Sequence, residues 1–272
     1  MGINRITLKQ HAKEVIRTSV PSALLVTLLY LAISNGISFW LQDPTADASD
    51  LILQGYSVDV ALGYVLTRQG AMVNFFLSIL ITLFTWVLSF GYTQYTMRLN
   101  RGKTTGFSDL FSTFHLAGKI ILLQLLTVLF IFLWSMLLVI PGIVASYRYS
   151  QANYILLDHP ELSPMECIRR SKRMMNGHKL DRFVLDWSFF GWYLLFSIPG
   201  IVLANLLPTG LLFDLLVTVV TLVCSIWITP YAECTYVGFY DAIRGDDAGT
   251  QQPPHSDWEN DWNRSDKTDP WN

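Results

Sequence analysis

Residues 139–179 read VIPGIVASYRYSQANYILLDHPELSPMECIRRSKRMMNGHK, and how they run decides the topology of the whole chain. The stretch begins apolar, turns aromatic and polar around Arg148, and ends strongly basic. Either the chain folds back through a membrane here, or one long helix leaves it. The flanking sequence makes a membrane the relevant solvent. A crossing helix needs about 20 mostly apolar residues to traverse roughly 30 Å of hydrocarbon. Segments at about 20–41, 71–97, 118–140, 183–205 and 210–232 meet that requirement. The 272-residue chain is 51% hydrophobic and only 15% charged, against roughly 25% charged residues in soluble domains.

The placement of charge sets the expected orientation. Lysine and arginine accumulate on the cytoplasmic side of short loops. Arg5, Lys9, Lys13 and Arg17 precede the first span. Arg98, Arg101, Lys103 and Lys119 lie between the second and third. Arg169, Arg170, Lys172, Arg173, Lys179 and Arg182 follow the opening stretch. The loop at 42–70 instead carries Asp43, Asp47, Asp50 and Asp59 against Arg68, which makes it external. For Lys119 and the later basic block to share a side, the chain must cross twice between them, and 142–157 is the segment left for the second crossing. Pro141-Gly142 suits a turn at the outer surface. The expected fold is all-α: a polytopic membrane helical bundle of six transmembrane helices with both termini cytoplasmic. The membrane domain covers 1–243, and a polar, disordered cytoplasmic tail covers 244–272. The alternative is five spans, with 142–157 part of a kinked helix projecting from the membrane, which places the basic block outside. Ala46-Asp47-Ala48 is too far from the preceding apolar run for a cleaved leader.

Arg148 and Asp214 are the ionisable residues deepest in the expected spans. A charge in hydrocarbon calls for a partner, so they are expected to form an intramembrane ion pair. That pair either fixes helix packing or lines a polar path with Gln151 and Asn153. Asp186 and Glu233, near the inner span ends, read as interfacial anchors that snorkel to water.

Residues 163–176, SPMECIRRSKRMMN, read as a short amphipathic helix. Ser163 and Glu166 form a Ser-x-x-Glu capping pattern, Pro164 suits the first turn, and Gly177 suits the terminator. At 100° per residue, Pro164, Met165, Cys167, Ile168, Ser171, Met174 and Met175 share one face. Glu166, Arg169, Arg170 and Arg173, with Lys172 at the border, share the other. Such a helix is expected at the inner leaflet, where each cation near an anionic surface contributes about 1 kcal/mol; the equal alternative is a docked helix whose arginines merely face solvent. A second interfacial helix is expected over 107–117, from Phe107, Leu110, Phe111 and Phe114 at helical spacing.

Catalytic chemistry finds no motif. The chain has no His-Glu-x-x-His, Gly-x-Ser-x-Gly, phosphate loop or dinucleotide fingerprint. Cys167, Cys224 and Cys234 form neither a disulfide framework nor a zinc pattern. No catalytic residue, metal site or cofactor is expected, and no soluble basic domain speaks for nucleic acid. The pentapeptide IPGIV occurs at 140–144 and 198–202, either a trace of repeated span pairs or a chance recurrence of a turn. Trp258, Trp262 and Trp271 among acids in the tail suit a docking motif or a tether equally with an inert tail.

The block PGIVASYRYSQANYILLDHPELSPMECIRRSKRMMNGHKLDRFVLDWSFFGWYLL resembles the bacterial integral membrane proteins of domain-of-unknown-function family 975. LKQHAKEVI, RLNRGKTTGFSDLF and TPYAECTYVGFYDAIRG fit the same pattern, so the resemblance runs over roughly 5–245. The central block is more loosely similar to the membrane domain attached to some glycerophosphodiester phosphodiesterases, from which no hydrolase residue transfers. The resemblance implies a bacterial inner membrane protein and supplies no activity. The expected function is a non-enzymatic scaffold at the cytoplasmic leaflet. It would bind anionic lipids, or a membrane-protein partner through the basic helix or the tryptophan tail. The alternative is a small transporter or permease component using the path around Arg148 and Asp214.

Overall fold

The computed structural model describes residues 5–19, 22–40, 51–53, 55–60, 63, 71–206 and 211–250. Most of the expected external loop, and the tail from 251 with its three tryptophans, lie outside the described residues. In chain order the main helices are α1 (Arg5–Thr18), α2 (Ala23–Trp40), α3 (Ala71–Asn100), α4 (Ala117–Leu137), α5 (Val139–Tyr149), α6 (Ala152–Asp158), α7 (Pro164–Met174), α8 (Lys179–Leu206) and α9 (Leu211–Thr250). No strand occurs among the described residues. Among the described residues two stretches, Phe75–Asn100 and Phe107–Leu137, are long and apolar enough to cross a membrane, or three if the bent pair of α1 and α2 counts as one. That is consistent with a membrane protein. The helix α9 continues past residue 243, where the tail was expected to begin.

The opening stretch forms the return arm of a hairpin. The reversal falls at Leu138, whose backbone is extended (φ −163°, ψ 149°), between α4 and α5. Pro141 and Gly142 therefore do not make the turn. Pro141 lies in the first turn of α5, where an N–H has no intrahelical acceptor and its absence costs nothing. Gly142 sets the spacing of the arms: a Cβ there would collide with Ser135 Oγ and sit 3.0 Å from Ser135 Cα. At the open end, Lys119 Nζ donates to the Pro160 carbonyl at 2.6 Å. The chain thus comes back beside the start of α4.

The return arm is broken at Ser150-Gln151, between α5 and α6. A break exposes backbone groups that must find partners in a dry interior. Ser171 of α7 supplies them. Its hydroxyl donates to the Arg148 carbonyl at 2.8 Å and accepts from the Gln151 N–H at 3.1 Å.

Two other expectations change. Residues 107–117 form two 3-10 turns, Phe107–Phe111 and Phe114–Leu116, instead of a regular amphipathic helix. Buried Asp109 holds the first turn by accepting from the Gly106 N–H at 2.9 Å and from Arg98 at 2.6 Å. Leu110 alone of the four apolar residues is buried, while Phe107, Phe111 and Phe114 are exposed. Gly91 of α3 lets this segment approach, since a Cβ there would run into the Leu110 backbone carbonyl. The two IPGIV copies are not equivalent: 140–144 begins α5 after a reversal, and 198–202 lies inside α8.

Among the described residues two buried clusters hold the helices together. One gathers Tyr149, Ile155, Cys167, Met175, Phe189, Phe239 and Tyr240 around the α5–α6 arm, α7 and α9. The other joins α1, α2 and α3 through Ala12, Val26, Leu88, Tyr92 and Tyr95. Within it Tyr30 stacks on Tyr92 with ring centroids 4.5 Å apart.

Candidate functional site

Helix α7 is built largely as its sequence dictates. Ser163 is extended and its hydroxyl accepts the Glu166 N–H at 3.3 Å, with Pro164 in the first turn. Gly177, at φ +91°, ends the segment in a conformation that other residues rarely adopt. The reciprocal half of the capping pattern is replaced. The Glu166 carboxylate faces Arg169 and Arg170 at 3.5 Å each and Arg173 at 3.3 Å. Three arginines within reach outweigh a single backbone N–H for a carboxylate.

The two faces of α7 separate as the periodicity requires. Pro164, Cys167, Ile168, Ser171 and Met174 are buried, while Arg169, Lys172 and Arg173 are exposed. The apolar face meets protein, as the docked alternative requires. It packs into the cluster around α5, α6 and α9, and Ser171 plugs the helix break. Amphipathicity here docks the helix and leaves only its cations for an outside ligand. Burial pushes the Cys167 thiol up to about 11, so it stays protonated at neutral pH.

The exposed side of α7 opens on a pocket of ≈ 440 Å³ lined by Arg148, Glu166, Arg169, Lys172, Arg173, Asn176 and Lys179. Five cations face one carboxylate there. Arg148 Nε is buried and finds no hydrogen-bond partner among the described residues. The backbone of Arg148 is already tied to Ser171, so its side chain is presented from a fixed base. Guanidinium groups match the geometry of phosphate and carboxylate oxygens, and this arrangement suits an anion. The expected partner of Arg148, Asp214, belongs to α9, but its side chain lies outside the described residues. Gln151 is fully buried behind the break. Its side-chain amide donates to Ser150.

Asp186 and Glu233, expected as anchors turned to water, are both half-buried and engaged by protein groups, with 31% of the Asp186 side chain still exposed. Arg182 is buried with its guanidinium 3.6 Å from the Tyr236 ring centroid and 3.3 Å from Asp186. Glu233 accepts from the Tyr154 hydroxyl at 3.4 Å. A buried arginine provides a nearby counter-charge for these half-buried acids.

A further ionic cluster was not anticipated. Arg101, just past α3, donates to both oxygens of Asp158 at 2.6 and 2.9 Å and to Asp241 at 2.6 and 3.3 Å. Asp158 also accepts from the Tyr240 hydroxyl at 2.9 Å and from Arg244 at 2.7 Å. Burial pushes the Asp158 carboxyl up. The hydrogen bonds and charge of Arg101, with Tyr240 and Arg244, more than offset this and hold it below the usual carboxylate value. The same two acids raise Arg101 above the ordinary arginine value. The cluster clasps the ends of α3, α6 and α9. Its charges are mutually satisfied, which suits fastening better than binding. A signal existed, since each residue sits where an apolar stretch ends on the expected cytoplasmic side. Among the described residues no group of three His, Cys, Asp or Glu is placed to hold a metal ion.

Residues 135–247 match the family model described as "Protein of unknown function (DUF975)". This segment is similar to that family. The match begins at the end of α4 and covers less than half of the chain. The matched segment carries the helix break, α7, Arg182 and Glu233, together with the Asp158 and Asp241 halves of the clasp. Arg101 and α1 lie outside it. No curated protein and no solved structure matches the chain, and the looser likeness to the phosphodiesterase membrane domain has no match behind it.

Proposed function

We propose that this protein is a non-enzymatic scaffold of the bacterial inner membrane that gathers anionic lipid headgroups at the cytoplasmic leaflet. The chain crosses six times, with both termini in the cytoplasm. The observation that carries the proposal is the convergence of Arg148, Arg169, Lys172, Arg173 and Lys179 on one open pocket. The apolar face of α7 is docked on protein, so its contribution is electrostatic and falls with salt. The hairpin that returns α6 beside the start of α4 supports the even number of crossings.

Photocrosslinking from position 172 in membranes tests the role. Captured anionic lipid, lost on Arg169→Glu/Arg173→Glu, supports it. Capture of one discrete protein instead would make the site a protein-docking surface. Cysteines placed at 159–162 test the topology, and labelling by an impermeant reagent from outside the cell would refute it.

A further inference from the structure

A second cavity lies away from the α7 pocket. It is a groove of ≈ 550 Å³ between the end of α1, the start of α2, and the flanks of α8 and α9. Trp192, Trp227, Ile228 and Tyr231 make an apolar wall, and Lys13 and Arg17 stand on the α1 side. The sequence had placed these two cations before the first span only as topology markers.

Their geometry gives them more to do. Lys9, Lys13 and Arg17 follow a four-residue spacing, which puts them on one helix face. Lys9 is engaged: it donates to Ser188 Oγ at 2.7 Å and lies 4.5 Å over the Phe189 ring. Lys13 lies 5.7 Å over the Tyr231 ring, at the groove itself. Among the described residues no carboxylate pairs with Lys13 or Arg17. The axes of α1 and α2 meet at 91°. If α2 enters the bilayer, α1 therefore lies along its surface, and the two cations stand at headgroup depth above an apolar slot.

We infer that this groove holds one anionic phospholipid, with its phosphate between Lys13 and Arg17 and an acyl chain along Trp192, Trp227 and Ile228. Charge complementarity selects the occupant. A lipid of net negative charge satisfies two unpaired cations beside an apolar wall, whereas a zwitterionic lipid brings its own ammonium against them. The volume is in the usual range for a small-molecule site, and tryptophans lining it match the preference of indole for the interface. The inference rests on the membrane reading above but uses none of the residues of the α7 pocket.

Quenching of tryptophan by brominated acyl chains tests it on the full chain in detergent micelles. Brominated phosphatidylglycerol is compared with brominated phosphatidylcholine. The groove signal is the difference between the unmodified protein and Trp192→Phe/Trp227→Phe. The expected result is half-quenching of the groove signal at about fivefold lower phosphatidylglycerol than phosphatidylcholine for each cation engaged. The preference should vanish in Lys13→Gln/Arg17→Gln and survive in Lys13→Arg/Arg17→Lys. Equal quenching of the groove signal by the two lipids in the unmodified protein overturns the inference without needing any charge variant. Retention of the preference in Lys13→Gln/Arg17→Gln also overturns it. Absence of quenching of every tryptophan by either lipid overturns the membrane reading as well, while Arg169→Glu/Arg173→Glu should leave the groove preference unchanged.

Discussion

Replacing Arg101 with alanine removes the one group shared by two carboxylates. Arg101 gives Asp158 a bidentate pair and reaches Asp241 from the same guanidinium. The side chains are 24%, 11% and 30% exposed for Arg101, Asp158 and Asp241, so the cluster is half-buried. Removing one partner of a fully buried pair costs about 3–5 kcal/mol, chiefly because the other charge is left uncompensated. Partial exposure, and the retained contacts of Asp158 with Tyr240 and Arg244, reduce this to about 2–3 kcal/mol. Arg101→Lys keeps the charge and loses the fork, so it should cost about 1 kcal/mol. Reversible unfolding in mixed micelles, followed by circular dichroism, gives the free energies. The cycle with Asp158→Asn gives the pairwise term, expected near 1.5 kcal/mol. Acid should weaken the clasp in the same direction. Folding lowers the Asp158 value, so its contribution is complete above the unfolded value of about 4 and is lost as pH falls through the lower folded value. A loss below about 0.5 kcal/mol for Arg101→Ala, with no coupling to Asp158, would falsify the view that this cluster fastens α3, α6 and α9.

Three further outcomes follow from the packing. Gly142→Leu should force the arms of the hairpin apart and cost about 1–3 kcal/mol by overpacking, and Gly142→Ala should be partly rescued by Ser135→Gly; the same unfolding measurement checks both. Ser171→Ala leaves the Arg148 carbonyl and Gln151 N–H without their shared partner and should cost about 1–3 kcal/mol, with faster hydrogen exchange at Gln151, whereas Ser163→Ala should cost about 1 kcal/mol through the lost cap and leave Gln151 protected. Cys167, buried and with its thiol raised to about 11, should react with maleimide at neutral pH far more slowly than a cysteine placed at position 172; equal rates would mean that α7 is not docked on the core.

Several features follow from the sequence because their causes are local. The helix at 164–174 needs only the Ser163 cap, the early proline, the Gly177 terminator and an apolar face at 100° per residue. All of these lie within a few residues of one another. The helical class and the apolar segments follow in the same way, since a run of apolar side chains identifies itself. Periodicity also requires that one face of α7 be buried, but it does not say against what. The tertiary structure decides that the face meets the α5–α6 arm and α9, and it gives Ser171 its purpose by placing it at the break between Ser150 and Gln151. Pro141-Gly142 carries the signal of a turn, yet the chain reverses at Leu138, because a proline is equally at home in the first turn of a helix and a glycine equally useful where two helices touch. The clasp of Arg101 with Asp158 and Asp241, the contact of Glu233 with Tyr154, and the meeting of Arg148 with α7 join residues far apart in the chain. Charge partners of this kind are chosen by distance in space, and in a bundle of helices that distance is set by how the helices pack.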